Sequence, residues 1–276
     1  MAIKLVVDST ADITPEYAKE NDIRVVSLNI STPDEEIKET DIKNVQQYYK
    51  RMAEDNNFVV KTSQPSIAEF EEAITEALDG NKNEVLVLTM GSSLSGTYSC
   101  ACLAADNAGG GRAAVIDSGT ATLGFRLFIE EVIALIKQGK TVKQIIAAAP
   151  DITKRIHVYF VPSSLKFLHR GGRMSTISAA IGSILQIKPI IHFHDNVMQC
   201  AKKVIGFTKA LTEMVSLIPA KIKQLILASV AGGANIGILK KLLADRNLKT
   251  DYEKDDITMV IAAHAGPGAV GVVFIE

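Results

Sequence analysis

Short apolar runs alternate with segments of helical period through the first half of the chain, the pattern of a parallel sheet flanked by helices. The runs Ile3–Asp8, Ile23–Ile30, Glu84–Met90 and Ala113–Ser118 read as strands. Thr14 followed by Pro15 opens the first helix, because a hydroxyl caps a free amide and proline suits the first helical position. Asp41 is expected to open a second helix, over residues 42–55, in the same way. Ser66 and Glu69 have capping-box spacing, and Gly80 provides that helix's stop. Helical patterns over 120–138 and 142–149 complete this half.

Beyond Pro150 and Asp151 the texture changes. His157–Val161 reads as a strand, and a short amphipathic helix follows that Gly171 and Gly172 terminate. Pro189–Val204 alternates as a hairpin around Asp195-Asn196. Helices over 208–217 and 235–246 flank a strand at Gln224–Val230, and the tail from Ile257 reads as two strands separated by a glycine-proline turn. The expected architecture is therefore α/β in two domains. Residues 1–151 would form a three-layer α/β/α parallel-sheet domain and 152–276 a mixed-sheet domain, with a ligand in the cleft between them.

Composition narrows the chemistry. The chain has 276 residues, 47% of them apolar, enough for a sizeable core. There is no Trp, and 30 Lys plus Arg balance 31 Asp plus Glu, so the chain has neither a basic surplus nor aromatic platforms for nucleic acid. Cys100, Cys102 and Cys200 have neither zinc-site nor disulfide spacing, which fits a reducing, cytoplasmic compartment. The first apolar run is too short for a signal peptide or a membrane span.

Four polar stretches follow strands, where open α/β sheets bind ligands: Asp8-Ser9-Thr10, Lys61–Ser66, Gly91–Thr97 and Asp117–Thr120. All are rich in hydroxyls and poor in cations. No phosphate-loop lysine motif occurs, and "GSSLSGTY" is not a nucleophile elbow, although Ser92, His264 and an aspartate could assemble in space. Each loop alone is explained by helix capping; four on one rim point to a site. His264 is expected at the end of a buried strand. His192 and His194 share a strand face with no third metal ligand evident, so no metal is expected. Arg170 and Arg173 flank Gly171-Gly172, where they could bind an anion or brace the turn.

The stretches "VVDSTADIT", "KTSQPSIAEFEEAI", "SSLSGTY", "VIDSGTATLG", "LHRGGRMS", "IKPII" and "HAGPGAVG" occur in that order and span nearly the whole chain. In these the sequence closely resembles the DegV family of bacterial fatty-acid-binding proteins. The resemblance implies a fold related to dihydroxyacetone kinase architecture, a long-chain fatty acid held between two domains, and no catalysis by the chain itself. It also implies a partner, a fatty acid kinase that phosphorylates the acyl carboxylate for phospholipid synthesis, and it leaves transient contact with a membrane surface open. By motif, the carboxylate would be held by Thr62, by Ser92 or Ser93, and by His264. Arg170, Arg173, Lys202 and Lys203 are candidates for kinase docking or anion contact.

Two departures from the family pattern stand out: Gly91 replaces the loop's first serine, and Ile205 replaces an arginine common after the hairpin. Hydroxyl and amide donors suit a carboxylate that must stay nucleophilic, since a bidentate arginine would hold it harder. Two other classes compete with a lipid carrier. A serine hydrolase would use Ser92 and His264; a self-sufficient kinase of the dihydroxyacetone type would need a nucleotide motif, which the sequence lacks.

Overall fold

The computed structural model describes residues 1–80, 82–174 and 187–276. Ala2–Asp8 (β1), Ile23–Val26 (β2), Asn83–Thr89 (β6) and Ala113–Asp117 (β7) form an all-parallel sheet in the order β2-β1-β6-β7. Asn29–Ser31 (β3), Glu36–Lys38 (β4) and Lys61–Ser63 (β5) make a small antiparallel sheet beside it. The second large sheet contains Ile156–Val161 (β8), Ile187–His194 (β9), Val197–Ile205 (β10), Gln224–Ser229 (β11), Tyr252–Lys254 (β12) and Val270–Ile275 (β13). Its order is β10-β9-β8-β13-β11-β12, antiparallel except for the β11–β12 pair. The fold is thus α/β with an N-terminal parallel sheet and a C-terminal mixed sheet, as the sequence pattern indicates.

Helices cover both sheets and fill the space between them. Ile67–Leu78 and Thr97–Ala108 pack on the outer face of the parallel sheet, and Phe207–Ser216 and Ala234–Asp245 on that of the mixed sheet. The helix Leu123–Lys137 belongs to the core that both sheets share. It buries Leu123, Phe125, Leu127, Phe128, Ile129 and Val132 around most of its first turns, as a helix enclosed on all sides must. The capping box at Ser66 and Glu69 forms as expected, and so does the Thr14 cap.

Four local expectations change. The run Ile23–Ile30 is two strands in two sheets, because Ser27 bonds its own surroundings instead of a ladder: its Oγ donates to the Leu28 carbonyl and accepts from the Thr40 amide. The second helix, Val45–Glu54, starts at Asn44, whose Oδ1 accepts the Gln46 amide at 3.1 Å, while Asp41 closes a 3₁₀ turn. Asn and Asp cap equally well, so sequence alone does not choose between them. The helix expected to stop at Ala149 is Val142–Arg155, passing through Pro150. Finally, Met259–Ala265 is a helix and not a strand. Its seven apolar and histidine positions carry no decisive period, but three alanines favour helix and Gly266, at φ 82°, ends it. The end of the "RMST" segment, Ser175 and Thr176, lies outside the described residues.

Candidate functional site

In the parallel sheet the chain first crosses from β1 to β2 and later continues on the other side through β6 and β7. The direction switches between β1 and β6, the place where an open α/β sheet offers a crevice. The loops there are fastened by buried carboxylates. Asp8 Oδ2 accepts the Met90 amide at 2.7 Å, and its Oδ1 accepts the amide and hydroxyl of Thr10 at 3.0 and 2.5 Å. Complete burial outweighs these bonds and raises its pKa to about 6.

A second fastening comes from the other sheet. The β9–β10 hairpin turns through Asp195 and Asn196, both at positive φ (47° and 60°), as a tight two-residue hairpin requires. The Asn196 amide nitrogen Nδ2 donates to Ser92 Oγ at 2.8 Å and to Asp117 Oδ2 at 2.9 Å. Its Oδ1 accepts the Ser93 amide at 3.1 Å, and its backbone N–H reaches the Gly119 carbonyl at 2.9 Å. The Ser92 amide donates to the Asp117 carboxylate at 3.2 Å. Gly91 fits this arrangement, since a Cβ there would stand 2.8 Å from Asn196 Oδ1 and 2.9 Å from the Phe193 ring.

Between the sheets lies a cavity of about 130 Å³. Its apolar walls include Leu28, Met90, Phe193, Met198, Val230 and Ile257, drawn from both halves of the chain. Its polar lining includes Thr62, Ser95, Arg173 and His264. Thr62 lies on β5, while His264 lies near the end of the helix Met259–Ala265, 202 residues later. Thr62 Oγ1 and His264 Nε2 are 2.9 Å apart. His264 Nδ1 is buried without a hydrogen-bond partner among the described residues. Burial, reinforced by the nearby Arg173 cation, lowers the His264 pKa to about 4, so the ring is neutral at neutral pH. If Nε2 carries the ring proton and donates to Thr62, the buried Nδ1 is spared an unpaired N–H. The threonine hydroxyl then keeps its own proton for an acceptor in the cavity.

Arg173 is half-buried. Its Nε and Nη2 donate to the Leu94 carbonyl at 3.1 and 2.8 Å, and its Nη1 to the Gly171 carbonyl at 2.6 Å. It therefore braces the glycine turn against the serine loop while also lining the cavity, and burial lowers its pKa. Arg170 is exposed at the end of the helix Lys166–Arg170. Lys202 and Lys203 sit on β10, an edge strand of the mixed sheet; Lys202 pairs with Glu213 at 2.5 Å, and Lys203 is exposed.

The structure thus brings Thr62, His264 and Arg173 together around one cavity. Ser92 and Ser93 are exposed on the rim, held by Asp117 and Asn196, and do not line that cavity. The hydroxyl from this loop that does line it is Ser95, which nothing in the serine spacing distinguishes from its neighbours. Of the four polar stretches, Lys61–Ser66 and Gly91–Thr97 reach the cavity, while Asp8–Thr10 and Asp117–Thr120 anchor the loops beside it. The Ser92–His264 hydrogen bond that a hydrolase needs is not formed: Ser92 Oγ accepts from Asn196, and His264 faces Thr62. No helix among the described residues is long and apolar enough to cross a membrane.

Comparison with known proteins agrees with this architecture. A DegV domain-containing protein of Clostridium acetobutylicum is 31% identical over 281 residues, spanning 99% of this chain and 99% of its own. One of Deinococcus radiodurans is 32% identical over 281 residues, spanning 99% and 98%. Among solved structures, a fatty-acid-binding DegV family protein from Thermus thermophilus matches with a TM-score of 0.89 at 26% identity, covering 100% of both chains. DegV of Bacillus subtilis, a fatty acid binding protein, matches at 0.86 and 26%, also over 100% of both. The family model described as "Uncharacterised protein, DegV family" matches residues 2–276. The chain belongs to the DegV family.

Proposed function

We propose that this chain binds a long-chain fatty acid in the cavity between its sheets, with the acyl tail against the apolar walls and the carboxylate at Thr62. The observation that carries this reading is an apolar cavity whose polar lining holds a threonine hydroxyl backed by a neutral histidine. The fatty-acid-binding relatives from Thermus thermophilus and Bacillus subtilis support it. In this arrangement His264 donates to Thr62, Thr62 donates to the carboxylate, and Ser95 adds a second hydroxyl. Arg173 is already committed to two backbone carbonyls and adds positive field without a bidentate clamp. Affinity comes from the tail, each buried methylene contributing about 0.8 kcal/mol, and the hydroxyls set the direction of the head group.

A carboxylate held this way keeps lone pairs for attack on a γ-phosphate, so the chain would serve as a non-catalytic, lipid-presenting partner of a fatty acid kinase. Arg170 and Lys203 are exposed cations close in sequence to the cavity-lining residues Arg173 and Met198, and would meet the kinase. Native mass spectrometry of the purified protein is the direct test of binding, and a single fatty acid adduct is the expected result. Lipid-free protein that also takes up neither oleate nor palmitate would overturn it. For the partner role, acyl-phosphate formation with a fatty acid kinase should fall in Arg170→Ala and Lys203→Ala while lipid binding stays intact. Unchanged turnover in both removes these cations from the docking surface.

A further inference from the structure

The face of the mixed sheet opposite the cavity carries a group of side chains that lipid binding does not use. Val158 and Phe193 line the cavity, so His157, His192 and His194, which alternate with them along β8 and β9, project to the other side. Val158 pairs with Phe193 and Tyr159 with His192; continuing that register sets His157 opposite His194. The third imidazole, which spacing along the sequence does not reveal, thus comes from the neighbouring strand. One nitrogen from each of the three rings lies within 4.8 Å of the others, and His157 Nδ1 is 3.1 Å from His192 Nε2.

The far-side partners of two rings fix where their protons sit, and without a cation His192 Nε2 donates to the lone pair of His157 Nδ1. His157 Nε2 is 3.2 Å from the Glu276 carboxylate, which can only accept, so that nitrogen carries the ring proton and Nδ1 keeps its lone pair. His194 Nδ1 faces the Ile156 carbonyl at 3.0 Å, which likewise places its proton there and leaves the lone pair on Nε2. A carboxylate or carbonyl on the far nitrogen is the arrangement that orients metal-bound histidines. Aromatic neighbours pack against the group: His192 lies parallel to Tyr159 with centroids 4.0 Å apart, and His157 lies 4.8 Å from Phe274. His157 and His194 are only partly buried and Glu276 is half-exposed, so an ion could reach the group from solvent.

We propose that His157, His192 and His194 form a binding site for one divalent transition-metal ion of the Zn²⁺ type, with Glu276 orienting His157. Nitrogen ligands at roughly 2.0–2.1 Å from zinc stand about 3.4 Å from one another, near the 3.1 Å of the closest pair. The three rings lie within 7° of parallel, so bringing their lone pairs onto one ion takes rotation about χ2, a broad torsion for histidine. Three imidazoles select Zn²⁺, Ni²⁺ or Cu²⁺ over Mg²⁺ or Ca²⁺, which require oxygen ligands. The fourth position is left to water or to an external ligand.

The test uses the untagged chain, stripped with a chelator and titrated with Zn²⁺ by calorimetry, with ring nitrogen NMR shifts followed in parallel. One Zn²⁺ per chain is expected, with shifts on His157, His192 and His194 and none on His169. His194→Gln should weaken binding more than Glu276→Gln, for which a loss of about 10–100-fold is expected. His169→Ala should bind as the unmodified chain does. The NMR shifts are read on the unmodified chain, so they decide the matter even where a variant fails to fold. No saturable binding, or binding that leaves these three rings unshifted or survives His194→Gln unchanged, overturns the proposal.

Discussion

The imidazole of His264 occupies the space in which a side chain on Gly171 would lie: a Cβ there would be 2.0 Å from Nδ1. The glycine turn after the helix Lys166–Arg170 is therefore the floor on which the histidine rests. Gly171→Ala should push His264 off Thr62, lower stability by about 1–3 kcal/mol as overpacking does, and weaken oleate binding. Urea unfolding and a fluorescent fatty-acid competition assay check this. Unaltered stability together with unaltered affinity would mean that the ring can move aside freely.

Thr62 separates the roles of shape and hydrogen bonding. Thr62→Val keeps the volume and removes the hydroxyl, so affinity for oleate should fall by the value of a hydrogen bond to a charged group, about 1.5–3 kcal/mol. Thr62→Ser should retain most of it. Equal binding by the valine and serine variants would place the carboxylate elsewhere in the cavity.

Asn196 does two jobs that substitution can divide. Glycine accepts its positive φ of 60° and keeps the turn, but loses the bonds to Ser92, Ser93 and Asp117. Aspartate keeps the shape and sets a second carboxylate where the amide now donates to Asp117 at 2.9 Å. Asn196→Asp should therefore destabilise more than Asn196→Gly at neutral pH, and the gap should narrow in acid as carboxylates protonate. Melting temperatures at two pH values measure it, and a larger loss in the glycine variant would show that turn geometry outweighs charge.

Glu39 gives the fold a pH dependence of defined sign. Burial raises its pKa from 4.5 to about 7, although Ser9 donates to it and Oε1 accepts the Val260 amide at 2.6 Å. The folded chain thus holds a proton that the unfolded chain releases at lower pH. The stability this confers is full below about 4.5 and is lost as pH rises through about 7. Asp8, raised to about 6, acts in the same direction. Glu39→Gln should flatten the fall in urea midpoint between pH 5 and pH 8, within roughly that window. Parallel curves for the two proteins would rule the linkage out.

Local signals in the sequence were reliable where one residue type does one thing. The box at Ser66 and Glu69, the Thr14-Pro15 start and the Asp195-Asn196 turn all form. They failed where a short segment suits two conformations: "MVIAAHA" is apolar enough for a strand, and packing against the N-terminal half, added to its three alanines, makes it a helix. There the Val260 amide meets Glu39 and the Thr258 amide meets Asp12. The pairing of Thr62 with His264 had no local signal, because it is a tertiary contact; only the family motifs placed both at one site. Ser95 was hidden for another reason. Three serines in four positions look alike until the bonds to Asp117 and Asn196 turn two of them outward.

The distance along the chain between Thr62 and His264 also sets the order in which the site comes into being. During synthesis the hydroxyl emerges 202 residues before the imidazole, so a nascent chain that has not yet released residue 264 has one half of the contact and a glycine turn with no ring resting on it. Loop closure over 202 residues is entropically costly and comes late in folding. Synthesis of residue 264 is thus what would give the proposed fatty-acid seat its oriented head-group contact.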